Sequence, residues 1–274
     1  MIRHPHAGEQ ARRIAEAGTV LRTRVGSAVH GTAGEDGGDR DELGLCLEPA
    51  GSAAGPVLVR TPGGREVPFE QYELHTAWAR PRGSAERSGA GDLDLVVYGA
   101  RKWTRLALAG NPAALLPLWV PQVHVVVCTA AGEELRANAS RFASLQAGRA
   151  CLGQLRAQRD ALVGVRGHRA AARARRSPAG YDVARAVHAL RLGVQGLQLL
   201  RTGRLTLPVP APDLEDLRSV RRGRWPLGAV LERVAGVEAD LVAELRAGPL
   251  PPGADRAWVL DWLERSHRRA GAAG

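Results

Sequence analysis

Two aspartates one residue apart, Asp39 and Asp41, follow a glycine-rich stretch within Arg24–Leu45, RVGSAVHGTAGEDGGDRDELGL. A second such pair, Asp92 and Asp94, opens the run DLDLVVY. On a strand, residues two apart share a face, so each pair converges. Carboxylates held that close repel, and they need a cation between them or a proton on one of them. If the two strands are neighbours, three carboxylates can surround a pair of divalent cations. Two such ions about 3.5–4 Å apart serve in-line displacement at phosphorus. One lowers the pKa of the attacking hydroxyl, and the other neutralises charge on a leaving pyrophosphate. Oxygen donors without a Cys/His cluster favour Mg²⁺ over zinc. The glycines before Asp39 leave backbone N–H groups open to a phosphate. The plainer reading of such aspartates is that they cap turns or face water. The sequence Leu93-Asp94-Leu95, a carboxylate set in an apolar strand, favours the chemical one.

The elements that must position these groups are legible in outline. Gln10–Ala17 reads as a short helix, and Thr19–Ser27 as a β-branched strand ending at Gly26. Ala28–Gly38 reads as a loop, or a short helix and then a loop. Arg40–Pro49 alternates Asp41, Leu43, Leu45 and Leu47 on one face, a strand stopped by Pro49. Ala50–Gly64, with VLVR inside it, and Gly83–Gly91 are glycine-rich excursions. Asp92–Tyr98 is the clearest strand, followed by a helix over ARKWTRLAL that stops at Gly110-Asn111-Pro112. LLPLWVP suggests a short helix and His124–Thr129 a strand. Beyond Gly132 the pattern is helical: Glu133–Leu145, Gly148–Val165, Asp182–Leu200, Pro212–Arg222, Pro226–Ala247 and Arg256–Arg269.

The chain of 274 residues carries a net charge of +10. That balance favours a polyanionic partner such as nucleic acid or a nucleotide. Lys102 is the only lysine, however, so coding bias toward arginine is a competing source of the charge. No apolar run is long enough to span a membrane, and the N-terminus has no apolar secretory core, so a cytoplasmic protein is expected. Cys46, Cys128 and Cys151 lack zinc spacing and read as free thiols in a reducing compartment.

The segment VGSAVHGTAGEDGGDRDELGL resembles the signature of the nucleotidyltransferase (DNA polymerase β-like) superfamily: a Gly-Ser turn, a DxD strand and a third Asp on a later strand. LDLVVYGARKWTRLALAGNPAALLPLW and GYDVARAVHALRLGVQGLQLLRTGRL narrow the resemblance to RNA-ligase-associated predicted nucleotidyltransferases, across most of Val20–Leu205. The resemblance implies an α+β fold: a mixed sheet with flanking helices in a catalytic core, residues 1–132, and an all-helical part, residues 133–274. It implies that Gly26 and Ser27 hold the incoming triphosphate. Asp39, Asp41 and Asp94 would be catalytic and bind Mg²⁺, with Asp92 the rival for the third place. The reaction implied is transfer of an NMP from an NTP, ATP foremost, to a hydroxyl, with an RNA end or tRNA as acceptor and RNA repair as the context. Relatives in the superfamily that modify a protein or a small molecule with AMP give an alternative, and a non-catalytic nucleotide- or RNA-binding module gives another.

Gly38 stands where the family commonly has Ser, and Arg185 where it commonly has Lys, which keeps the charge and changes the geometry. Arg185, His188 and Arg191 share a helix face, either turned to a nucleotide or simply solvated. Lys102 is placed either to reach a phosphate or to pair with a carboxylate. The five arginines of Arg166–Arg176 either grip an RNA backbone or form a solvated loop. Six tryptophans, Trp258 and Trp262 among them at i, i+4, read mainly as core.

Overall fold

The computed structural model describes residues 6–33, 39–49, 56–79, 89, 91–164 and 177–272. The fold is α+β. A five-stranded mixed sheet is built from β1 (Thr19–Arg24), β2 (Arg40–Cys46), β5 (Gln71–His75), β6 (Leu93–Gly99) and β7 (Val125–Cys128), in the order β5-β6-β2-β1-β7. β2 and β6 run parallel, and every other neighbouring pair is antiparallel. A separate two-stranded ribbon joins β3 (Leu58–Arg60) to β4 (Glu66–Pro68).

On β6 the alternate residues Leu93, Leu95 and Val97 share one face of the sheet, with Cys46 of β2 on the same side. Cys46, Leu95 and Val97 pack there against Ala11 and Ala15 of α1 (Glu9–Gly18). The register that sets Asp41 opposite Asp94, Leu43 opposite Val96 and Leu45 opposite Tyr98 puts those residues on the other face. α2 (Gly26–His30) is a single turn after β1, so the first strand stops at Arg24, short of the expected end at Gly26. α3 (Ala100–Leu108) follows β6 directly, and α4 (Pro112–Leu115) follows the Gly110-Asn111-Pro112 stop.

Chain contacts divide the protein into two units. The first comprises Met1–Leu106, Leu116–Asn138 and Asp255–Gly274; the second comprises Ala107–Leu115 and Ala139–Ala254. In the first, α5 (Ala130–Ala137) is shorter than the expected Glu133–Leu145, because a 3₁₀ turn, Ala139–Phe142, follows it. The last helix, α10 (Arg256–Ala272), belongs to this unit. Its Trp262 is wholly buried, stands edge-on to Trp103 with ring centroids 6.0 Å apart, and donates Nε1–H to the Ala131 carbonyl. Further along α10, His267 reaches Glu48, whose side chain is 4 % exposed.

The second unit is helical: α6 (Leu145–Leu162), α7 (Val183–Thr202), α8 (Asp213–Arg221) and α9 (Leu227–Ala247). α6 starts at a Ser144 cap whose hydroxyl accepts from the Ala147 N–H, and α7 at an Asp182 cap that accepts from Arg185; caps of this kind are typically worth about 1 kcal/mol. α7 is buried along most of its length, with Leu190 among Leu155, Val234, Val237 and Leu241 of the core. At Gly193 an added Cβ would sit 2.4 Å from Val237 Cγ1, so the glycine lets α7 and α9 close up.

Candidate functional site

β2 and β6 run parallel with Asp41 and Asp94 as cross-strand partners, and strand pairs of this kind set their side chains next to each other. Asp39 lies one residue before β2 and joins them: one carboxylate oxygen from each of Asp39, Asp41 and Asp94 lies within 4.8 Å of the others. Two unit charges at that distance repel by roughly 3 kcal/mol at an effective dielectric of about 20. The electrostatic consequence falls on Asp41. Burial first, then the charges of Asp39 and Asp94, push its carboxyl up to about 6, with His75 opposing. A set of three oxygen donors that resists full ionisation by itself is relieved by a divalent cation, and hard carboxylate oxygens suit Mg²⁺-type ions. The residues fit such an ion.

The turn beside the cluster is shaped for close approach. Gly26 has φ +75°, and a Cβ there would lie 2.1 Å from Asp41 Oδ2. Only glycine accepts both the conformation and the contact. Val25 N–H donates to the Asp41 carbonyl, and the Ser27 carbonyl accepts from Thr32 N–H, so the turn is tied to β2 and closed on itself. Gly38 lies outside the described residues, as does the segment Arg166–Arg176.

Asp92 and Asp94 part company. Asp92 precedes β6, is buried, and accepts from Thr76 Oγ1 at 3.0 Å and from Gly89 N–H at 2.8 Å, while its carbonyl accepts from Arg40 N–H. It ties the start of β6 to its neighbours. Asp94 is the one that faces Asp39 and Asp41.

β5 and its side chains are what sequence reasoning missed. β5 pairs with β6 so that His75 opposes Asp94, and the two side chains meet at 2.9 Å, Nδ1 to Oδ1. The other ring nitrogen lies 3.8 Å from Glu73 Oε2. Gln71 donates to Glu73, and Lys102 donates to Gln71. A polar strip thus runs down one sheet face from Asp94 through His75, Glu73 and Gln71 to Lys102. The signal was present as a strict alternation, polar Gln71, Glu73 and His75 against Tyr72 and Leu74. Lys102 also lies 5.3 Å from the centre of the Tyr98 ring, and burial lowers its pKa, against the pull of Glu70 and Glu73. A cation–π contact at this range stabilises the ammonium.

Arg185 and His188 stand on α7, in the other unit. Arg185 donates to Gln158 Oε1 at 3.1 Å and its Nε lies 3.4 Å from Asp182 Oδ2, so its side chain is held at the start of the helix. Burial, reinforced by Arg191 and Arg185, lowers the His188 pKa to about 4, which leaves the ring neutral. Arg191 donates to Gln195.

A mixed sheet that gathers three carboxylates at the starts of two parallel strands, beside a Gly-Ser turn, has the form expected of a nucleotidyltransferase. The sequence model of the RNA repair pathway DNA polymerase beta family matches residues 4–227, and the chain belongs to that family. No curated protein matches it. Among solved structures, a nucleotidyltransferase-like protein from Exiguobacterium sibiricum 255-15 is similar at 12 % identity and a TM-score of 0.26, over 87 % of this chain and 72 % of that one. Among the described residues, no helix is long and apolar enough to cross a membrane.

Proposed function

We propose that the protein is a Mg²⁺-dependent nucleotidyltransferase that moves an NMP from an NTP, with ATP the preferred donor, to a hydroxyl of an RNA end or tRNA. The observation that carries this reading is the meeting of Asp39, Asp41 and Asp94 beside Gly26. Asp39 and Asp41 would hold the cations, with Asp94 as the third ligand. Bound there, the cations supply Lewis acidity, neutralising the triphosphate and easing ionisation of the attacking hydroxyl. The hydroxyl oxygen bonds to the α-phosphorus, the bond from the α-phosphorus to the bridging oxygen breaks, and pyrophosphate leaves. Asp94, steadied by His75, orients the hydroxyl and takes its proton. The Gly26-Ser27 turn receives the triphosphate without side-chain interference. Lys102, Arg185 and His188 are proposed as further nucleotide contacts, His188 by a hydrogen bond because it is neutral.

The catalytic core would comprise residues 1–132 and the helical part residues 133–274, with α10 packed into the core unit. The three cysteines form no disulfide, which fits a cytoplasmic site of action.

Incubation with each α-labelled NTP, Mg²⁺ and either total RNA, total protein or small metabolites tests the reading. Label entering RNA, and lost in the Asp39→Ala/Asp41→Ala double variant, supports it. Label entering protein or a small molecule replaces the acceptor, and binding of NTP without any transfer replaces the enzyme with a binding module.

A further inference from the structure

The charge is not spread over the chain. Counted over their full sequence ranges, the first unit has 19 basic and 19 acidic residues, and the second has 19 arginines against nine acidic residues. The whole excess of +10 therefore belongs to the helical unit. Coding bias toward arginine acts on both units alike, yet the first balances every cation with an acid. Bias alone does not account for the second.

Within the helical unit six of the nine acids are already engaged. Asp160, Asp182, Asp213, Asp216, Glu238 and Glu244 pair with Arg156, Arg159, Arg185, Arg201 and Arg233. Five of the remaining arginines lie in Arg166–Arg176, outside the described residues. Arg221, Arg222 and Arg224 stand together at the connection from α8 to α9, all exposed, and no carboxylate pairs with them among the described residues. Complementing the C-terminal dipole of α8 calls for one cation, not three in four residues.

The connection holds them on a fixed frame. Arg222 N–H donates to the Arg218 carbonyl, Gly223 N–H to that of Val220, and Arg224 N–H to that of Ser219. Gly223 sits at φ +66°, and Leu217 and Val220 just before it are fully buried. Guanidinium groups on an ordered turn engage successive phosphates with less loss of freedom than groups on a loose one. Among the described residues the large exposed apolar side chains are Leu58, Val123, Val126, Val163 and Leu260, none of them in this turn, so the turn offers no apolar side chain of that kind to a lipid layer.

We infer that Arg221, Arg222 and Arg224 form a phosphate-gripping surface for the RNA acceptor, so that the helical unit binds the polyanion while the neutral sheet unit carries the carboxylates. The inference rests on the proposed RNA acceptor. Contacts of this kind carry no sequence information, and each releases counterions, so binding weakens steeply with salt.

The test is binding of a short mixed-sequence single-stranded RNA by the full chain, without NTP or divalent metal, across a salt series. Arg221→Gln/Arg222→Gln/Arg224→Gln is compared with Arg13→Gln/Arg65→Gln/Arg268→Gln, which removes the same charge from exposed positions of the first unit. The first variant is expected to bind at least about tenfold more weakly. Its slope of log affinity against log salt should be shallower by about 2, since each phosphate contact on a single strand contributes roughly 0.7. The second variant should bind nearly as the wild type does. Equal weakening in both variants, or weakening in neither, overturns the inference, as does a triple variant that loses anionic vesicles while keeping RNA. An unchanged melting temperature, with an Mg²⁺–ATP stabilisation equal to wild type, shows the variant is folded. RNA binding retained by Asp39→Asn/Asp41→Asn separates this surface from the proposed chemistry, so either can fail alone.

Discussion

At Asp41 the electrostatic strain of the carboxylate cluster concentrates on one group. Its ordinary pKa of 3.8 rises to about 6 through burial and then the charges of Asp39 and Asp94. A raised acid binds its proton more tightly when folded, so the stabilising proton is fully present below pH 3.8 and is lost as pH climbs through about 6. Above that, burying the charged carboxylate and setting it beside Asp39 and Asp94 together cost the cation-free protein up to about 3 kcal/mol, and less once solvent screening at this partly exposed site is counted. Asp41→Asn should therefore raise the melting temperature of the metal-free protein by a few degrees at pH 8 and change it little at pH 4. The same variant should lose at least about 10²-fold in transfer rate, the usual effect of removing one electrostatic stabiliser. Calorimetric melts at the two pH values decide the first claim; a variant no more stable than wild type at pH 8 contradicts it. His75 acts one step out. Partners that orient a metal ligand typically change affinity 10–100-fold when removed. His75→Ala should weaken Mn²⁺ binding by about that factor in a calorimetric titration, and His75→Asn should restore part of it. Unchanged affinity in His75→Ala would mean that the imidazole merely fills space beside Asp94.

At the scale of elements, α10 is fixed to the sheet unit by a titratable pair. His267 Nδ1 faces the Leu263 carbonyl and Nε2 faces Glu48 Oε2, both at 2.9 Å, an arrangement that suits a doubly protonated ring. The Glu48 hydrogen bond, against burial, raises His267 above its ordinary 6.5. Burial would raise Glu48, but the bonds from His267 and from Arg101 N–H hold it below its ordinary 4.5. The His267 contribution is complete below pH 6.5 and lost as pH rises through the raised value; the Glu48 contribution is complete above 4.5 and lost on acidification. The melting-temperature gap between wild type and His267→Gln should thus be widest between pH 4.5 and 6.5 and narrow toward pH 9. A gap independent of pH would leave the pair without an electrostatic role. This pairing is not legible in the sequence: the pattern over Arg256–Arg269 specifies a helix but not what it packs on, since amphipathicity names a buried face and never its partner. By contrast β2 and β6 are legible nearly to their ends, because one-sided Leu/Val alternation with a lone Asp is local information. β5 escapes notice because its polar face looks solvated until β6 supplies Asp94 in register. The choice between Asp92 and Asp94 likewise needs the strand's true start, which places Asp92 outside β6 and against Thr76.

At the scale of the whole molecule, the carboxylate cluster and the charge excess lie in different parts of the chain. The carboxylates and the Gly26 turn belong to a unit with no net charge, and the arginine excess to one without such a cluster among its described residues. Everything turns on whether divalent cations settle where three side chains from two strands converge. Crystals soaked in Mn²⁺ with a non-hydrolysable ATP analogue, read by anomalous scattering, address that directly. The expected result is peaks in contact with Asp39, Asp41 and Asp94 next to the analogue's phosphates, absent in Asp39→Asn/Asp41→Asn crystals. Analogue bound with no peak at these carboxylates, or with the metal held by other residues, would contradict it.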